Sequence, residues 1–170
     1  AYSSLSHCAI FTLSHSPPRS NNCIFCTKPY SMARKELAAI SKKMKELDFC
    51  MMTTVGSRGQ LTSRPMSNNK DVEYDGDSWF FTYEGSKKIK HIEAAPQVEL
   101  AFSDPKGAWI SVSGRAKIIR SKTKMQEHWI DDLKQWFKDG LDTPGIVLLQ
   151  VQAKNIRYWL GEEEGEVKVS

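Results

Sequence analysis

The stretch Phe80-Phe81-Thr82-Tyr83-Glu84-Gly85-Ser86-Lys87-Lys88-Ile89-Lys90-His91-Ile92 decides how this chain is read. Its aromatic and β-branched start predicts a strand over 78–83. Glu84-Gly85 turns the chain, and Ser86 then suits an N-cap, because its oxygen can accept a bond from a free first-turn amide. Ile89 and Ile92 give the helix predicted over 86–95 an inward edge, and Pro96 ends it. Lys87 and Lys88 fall in the first turn, where the helix dipole is positive and each misplaced cation costs about 0.3–1 kcal/mol. A bound anion reverses the sign of that cost: free amides plus two ammonium groups make a phosphate site. Two solvated lysines on a surface helix are the plainer alternative.

Upstream, Leu37, Ile40, Met44 and Leu47 recur at helical spacing and predict an amphipathic helix over 33–47. A strand over 49–55, a turn at Gly56-Ser57-Arg58-Gly59 and a second strand over 60–67 follow. Thr62, Arg64 and Met66 share one face of that second strand. Downstream, Val98, Leu100 and Phe102 alternate in a fourth strand, Asp104-Pro105-Lys106-Gly107 is a turn, and a fifth strand runs over 109–119 with a bend at Gly114. One long helix is predicted over 122–139, with Met125, Trp129, Leu133, Trp136 and Phe137 inward. Strands over 146–152 and 155–160 close the domain, and Glu162-Glu163-Glu164 is a solvated tail. About seven short strands with tight turns imply antiparallel pairing, since parallel pairs need long crossovers. A small α+β barrel with helices over its openings is the expected architecture.

Arg64 sits mid-strand in Thr62-Ser63-Arg64-Pro65-Met66-Ser67. A charge inside a barrel strand needs a partner or an opening to solvent. An antiparallel neighbour would bring it near Thr82 and the Ser86 turn, where its planar fork suits phosphate oxygens. The alternative is an ion pair with an acid such as Asp77. Pro65 lacks an N–H and marks its strand as an edge or a bulge.

The 170 residues suit one domain. The charge of +4 is mild, and no clustered basic face argues for nucleic acid. No apolar run approaches the roughly 20 residues of a membrane-spanning helix. Residues 1–31 hold Arg19 and Lys28 but no acid, and carry Cys8, Cys23 and Cys26. They are read as a leader or upstream segment outside the fold, with Met32 as a natural start; a transit peptide is the alternative. Cys23-Ile24-Phe25-Cys26 has CxxC spacing but no second ligand pair, so it is read as incidental and no metal site is expected. Cys50 lies in an apolar run and is expected to be a buried small hydrophobe in a reducing compartment.

Taken in order, Arg64-Pro65-Met66, Phe81-Thr82, Gly85-Ser86-Lys87-Lys88, Pro96-Gln97-Val98, Trp109-Ile110-Ser111-Val112-Ser113-Gly114 and Tyr158-Trp159 resemble the pyridoxamine 5'-phosphate oxidase-like FMN-binding split barrels, and most of all their general-stress-protein branch. The resemblance covers roughly residues 34–160. It implies an α+β fold, an antiparallel split β-barrel of Greek-key type with flanking helices over 32–170. It also implies a homodimer with FMN at the subunit interface; the location expected from the cysteine reading is cytoplasmic, or organellar if residues 1–31 are a transit peptide. By the same resemblance Arg64, Lys87 and Lys88 hold the FMN phosphate with Ser86 nearby, Pro65, Met66 and Ser67 line the ring, and Phe81 and Thr82 contact ring and ribityl. Trp109 stands where the oxidases carry a polar flavin contact and is read as core. The acidic sequence after Leu160 replaces their Arg-rich substrate motif, so pyridoxamine phosphate oxidation is disfavoured.

A flavin-dependent oxidoreductase of unknown substrate is thus the expected function. No nucleophile–base pair stands out; His91 is read as a surface histidine and His128 as unpartnered. A non-catalytic flavin-binding stress or sensor protein therefore stays open. So do a deazaflavin- or haem-binding relative and a small oligonucleotide-binding barrel.

Overall fold

A computed structural model describes residues 30–47, 49–67 and 74–169, with side chains from Glu36 onward. The Cys23/Cys26 pair and nearly all of the proposed leader lie outside the described residues. The elements run α1 (Tyr30–Lys45), β1 (Phe49–Val55), β2 (Leu61–Ser67), β3 (Asp77–Tyr83), α2 (Lys87–Ala94), β4 (Gln97–Ser103), β5 (Ala108–Ile119) and α3 (Lys122–Glu127). Two 3-10 turns, Asp131–Gln135 and Gly140–Asp142, then lead to β6 (Ile146–Leu160) and β7 (Glu163–Lys168).

All strand pairs are antiparallel, in the order β2-β1-β4-β5-β6-β3, with β7 added to β6. The sheet is open: β2 and β3 are the ends of its path and do not pair with each other. Strict alternation puts Cys50, Met52 and Thr54 of β1, and Val98, Leu100 and Phe102 of β4, on the buried face. Ile40 and Met44 of α1 and Ile89 and Ile92 of α2 pack against that face with Ile110, Val112, Leu149 and Ile156. α1 begins and ends somewhat earlier than the expected 33–47, with Lys42, Lys43 and Lys45 in its last turn, where the dipole favours them. Cys50 is a free, buried thiol, and burial pushes its pKa up to about 12. Pro65 lies on a terminal strand, opposite Met51 of β1, where a missing ladder donor is tolerated.

Four expectations are corrected. The helix expected over 122–139 stops at Glu127; His128–Ile130 is non-helical and the chain resumes as a 3-10 turn. Ile130 is β-branched, and Asp131-Asp132 prefers a helix start to a helix interior. Leaving the helix lets His128 stack on Trp79, with ring centroids 3.7 Å apart, and lets Trp129 meet Phe81 edge-on. The break also turns Trp136 outward, leaving it half-exposed instead of inward. The strands expected over 146–152 and 155–160 are one strand, whose polar residues mark a bulge and not a gap. Opposite them the β5–β6 register shifts between Ser113 and Gly114. Finally, the acidic segment after Leu160 is not a loose tail: Glu163–Lys168 pairs with β6 across a turn at Gly161, whose φ of +68° suits glycine. Trp109 is likewise not core: it faces outward on β5 and is 55% exposed.

β3 is covered on both sides. Phe80 belongs to the main core, while Phe81 packs on a smaller cluster of Met125, Phe137, Ile146 and Leu148 beneath α3 and the 3-10 turns. Among the described residues, no helix is long and apolar enough to cross a membrane.

Candidate functional site

The open seam of the sheet is the candidate site. Pro65, Met66 and Ser67 of β2 and Phe81, Thr82 and Tyr83 of β3 line a groove of about 330 Å³, joined by Lys88 of α2. Six of the residues singled out from sequence therefore meet in one place. β2 is not the hydrogen-bonded neighbour of β3, as the proximity of Arg64 to Thr82 had suggested. The two strands face each other across the gap instead.

Lys88 donates from Nζ to Thr82 Oγ1 at 2.7 Å. Burial lowers its pKa below the ordinary lysine value, and the nearby positive charge of Arg64 lowers it further. Arg64 donates from a terminal guanidinium nitrogen to the Met52 carbonyl at 3.1 Å, and burial lowers its pKa too. It is not paired with Asp77, which accepts instead from Gln150 Nε2 at 2.6 Å. Among the described residues neither cation forms an ion pair with a carboxylate. Two half-buried like charges thus stand close enough to repel each other, an arrangement that an anion would relieve.

Ser86 occupies the N-cap position of α2, with extended backbone, but its side chain makes no cap bond. Among the described residues its Oγ is buried without a hydrogen-bond partner. A buried hydroxyl left unpaired costs about 1–3 kcal/mol, so it calls for a ligand or water. Lys87 is exposed, and neither it nor Arg64 nor Ser86 lines the groove itself. His91 is not the surface residue expected: it is half-buried, with Nδ1 3.0 Å from the buried Thr54 hydroxyl. The turn itself is braced from outside, because Arg120 pairs with Glu84 before it and Glu93 beyond it.

Sequence reasoning missed one wall. Phe49 of β1 and Leu133, Trp136 and Phe137 also line the groove. The last three were visible as an apolar stripe, and only the broken helix shows that part of the stripe faces the seam. Within the groove the titratable side chains are Tyr83 and Lys88. The site therefore offers anion binding and an apolar berth for a flat group, but no nucleophile–base pair.

Comparison with known proteins agrees with this frame. The sequence matches the family described as pyridoxamine 5'-phosphate oxidase like over residues 35–170. It is 30% identical over 133 residues to general stress protein 26 of Bacillus subtilis, covering 75% of this chain and 94% of that one. It is 29% identical over 129 residues to protein bli-3 of Neurospora crassa, covering 70% of this chain and 62% of that longer protein. In fold it is similar to a crystal structure of a general stress protein 26-related protein of the pyridoxinephosphate oxidase family from Clostridium acetobutylicum. That match has a TM-score of 0.70 at 18% identity, over 79% of this chain and 95% of the other. General stress protein 26 of Bacillus anthracis gives a TM-score of 0.64 at 22% identity, over 81% and 99%. The chain is a split-barrel protein and belongs to the pyridoxamine 5'-phosphate oxidase-like family, as a homologue of general stress protein 26.

Proposed function

We propose that this chain binds FMN in the seam between β2 and β3 and works as a cytoplasmic flavin-dependent oxidoreductase of the general stress protein type. The observation that carries the reading is Lys88 at the apolar groove, bonded to Thr82 and close to the charge of Arg64, with neither cation paired to a carboxylate among the described residues. The residues fit the group. Arg64 and Lys88 would hold its phosphate, with the orphaned Ser86 hydroxyl and Lys87 of the same turn adding donors. Pro65, Met66 and Ser67 would line its ring, and Phe81 and Thr82 would contact ring and ribityl. Once bound, FMN supplies two-electron redox chemistry, while the protein supplies position and electrostatics. The chain's own contribution is to neutralise the phosphate and to keep water from the ring with Phe49, Met66 and Phe81.

The same reading includes a homodimer with the seam at its interface. What supports it is the outward face of the sheet. Registered neighbours bring Met51 beside Pro65 and Ala101, and Trp109 beside Trp159. Phe49, Met51 and Trp109 are all about half-exposed there. Phe49 and Pro65 also line the groove, so this apolar face runs into the site. Apolar surface of this kind marks interaction sites.

Pyridoxamine phosphate is not the proposed substrate, because exposed Glu162, Glu163 and Glu164 disfavour a phosphorylated partner near the β6–β7 hairpin. A non-catalytic flavin carrier is the second reading, favoured by the lack of an acid–base pair in the groove.

The test is direct. Protein purified from cells should show the absorption bands of bound flavin, or take up added FMN. Arg64→Ala should weaken FMN binding by about ten- to a hundredfold, the worth of one charge-assisted contact. A protein that is colourless and also fails to bind FMN refutes the reading, and an Arg64→Ala variant that binds as tightly as the parent refutes the phosphate assignment.

A further inference from the structure

The wall of the groove that sequence reasoning missed differs in chemistry from the rest. Thr82 and Lys88 meet on the inward side of β3, whereas Phe81 and Tyr83 lie on its other face. On that other face Phe137 is buried and locks to β3 through ring contacts with Tyr83 at 5.1 Å and Phe81 at 6.4 Å. Tyr83 also donates its hydroxyl to the Trp136 carbonyl at 3.4 Å, which ties the segment's backbone to the strand. The indole of Trp136 is nevertheless 53% exposed, at the groove. A tryptophan held on a fixed backbone with half its ring in water is a platform for stacking. The charged neighbours do not line the groove: Asp131 and Lys134 pair with each other in solvent, and Asp132 and Lys138 are exposed.

Resting on the FMN reading above, we infer that Trp136, with Leu133, forms a second subsite at this groove, which receives a flat, uncharged ring compound as the flavin's partner ligand. Lys88, the cation that lines the groove, is taken by the FMN phosphate in the reading above, so a charged or phosphorylated second ligand would lose its hydration against this wall without gaining a counter-charge. A planar ring loses little and gains the stack.

The experiment uses the full chain loaded with FMN and kept oxidised. Equilibrium dialysis measures binding of 2-methyl-1,4-naphthoquinone and, separately, of pyridoxamine 5'-phosphate, to the parent, Trp136→Ala and Trp136→Phe. FMN affinity of each ligand-free protein is titrated alongside. The inference expects the naphthoquinone to bind the parent more tightly than the phosphate ester. Trp136→Ala should weaken it by about fivefold or more, the worth of one aromatic contact. Trp136→Phe should restore most of the loss, and Trp136→Ala should weaken naphthoquinone binding more than it weakens FMN binding, since the indole lines the same groove. Equal naphthoquinone binding by Trp136→Ala and the parent overturns the inference. So does an equal loss of FMN affinity in Trp136→Ala, which would give the indole to the cofactor. A parent that takes up no FMN instead refutes the underlying reading, in an arm read before any ring compound is added.

Discussion

Arg64 and Lys88 raise each other's cost in the free protein, and that cost sets a pH signature. Lys88 releases its proton below the ordinary value of 10.5, because burial and the Arg64 charge both disfavour its ammonium. It is charged on the acid side of that lowered value and neutral above it. Affinity for a phosphate is therefore full on the acid side and falls as pH rises through a value below 10.5. Lys88→Arg should flatten this alkaline limb, since a guanidinium keeps its charge throughout. Titration of FMN binding between neutral and alkaline pH checks it, and an unchanged limb would remove Lys88 from the phosphate site. In the ligand-free protein the sign is opposite. Between the lowered value and 10.5 the unfolded chain holds more protons, so stability rises with pH across that window. The residue types at this site were legible because cations in a helix's first turn violate a local rule, and such violations gather at functional sites. Ser86 was legible as a cap position but not as an orphan, since only packing decides where a hydroxyl points.

At the scale of elements, reading by periodicity worked where one face was buried by one partner. β1 and β4 alternate cleanly and were found within a residue of their ends. It failed where segments serve two surfaces. The stripe from Met125 to Phe137 has helical spacing, yet its rings divide between the strand face and the seam, and a continuous helix cannot aim them both ways. The β5–β6 pair shows the converse. A polar stretch around Ala153 looked like an interruption, but a bulge carries one strand through it. Gly114 makes that bulge tolerable: a Cβ there would run into the Gln152 carbonyl of the paired strand. Gly114→Ala should therefore destabilise the fold by about 1–3 kcal/mol, the usual cost of overpacking. Gly85 has open space around the same added atom, so Gly85→Ala should be nearly neutral for stability. Urea unfolding of both variants checks the contrast; equal midpoints would mean that the bulge has room to relax.

At the scale of the molecule, the order of the strands was not legible, because β1–β4 and β3–β6 join segments far apart in sequence. Local patterning says that a strand exists, not which one lies beside it. That order leaves the sheet open and puts β2 and β3 on either side of a seam, so the site is a consequence of topology. It also leaves Met51, Ala101 and Trp109 on an uncovered outward face. A polar band borders this face, with Thr53 bonded to Ser63 at 2.7 Å and Ser111 donating to Glu99 at 2.8 Å. An apolar patch with a polar rim is the usual anatomy of a protein interface. If two copies meet there, a charge placed at its centre must separate them without harming the core, since both Met51 and Trp109 lie outside it. Met51→Glu with Trp109→Glu should shift the protein from dimer to monomer in analytical ultracentrifugation while the far-ultraviolet circular dichroism stays unchanged. Because Phe49 and Pro65 belong to both the patch and the groove, the monomer should also bind FMN more weakly. A variant that stays dimeric places the contact elsewhere. A monomer with undiminished FMN affinity would instead show that each chain holds the cofactor alone.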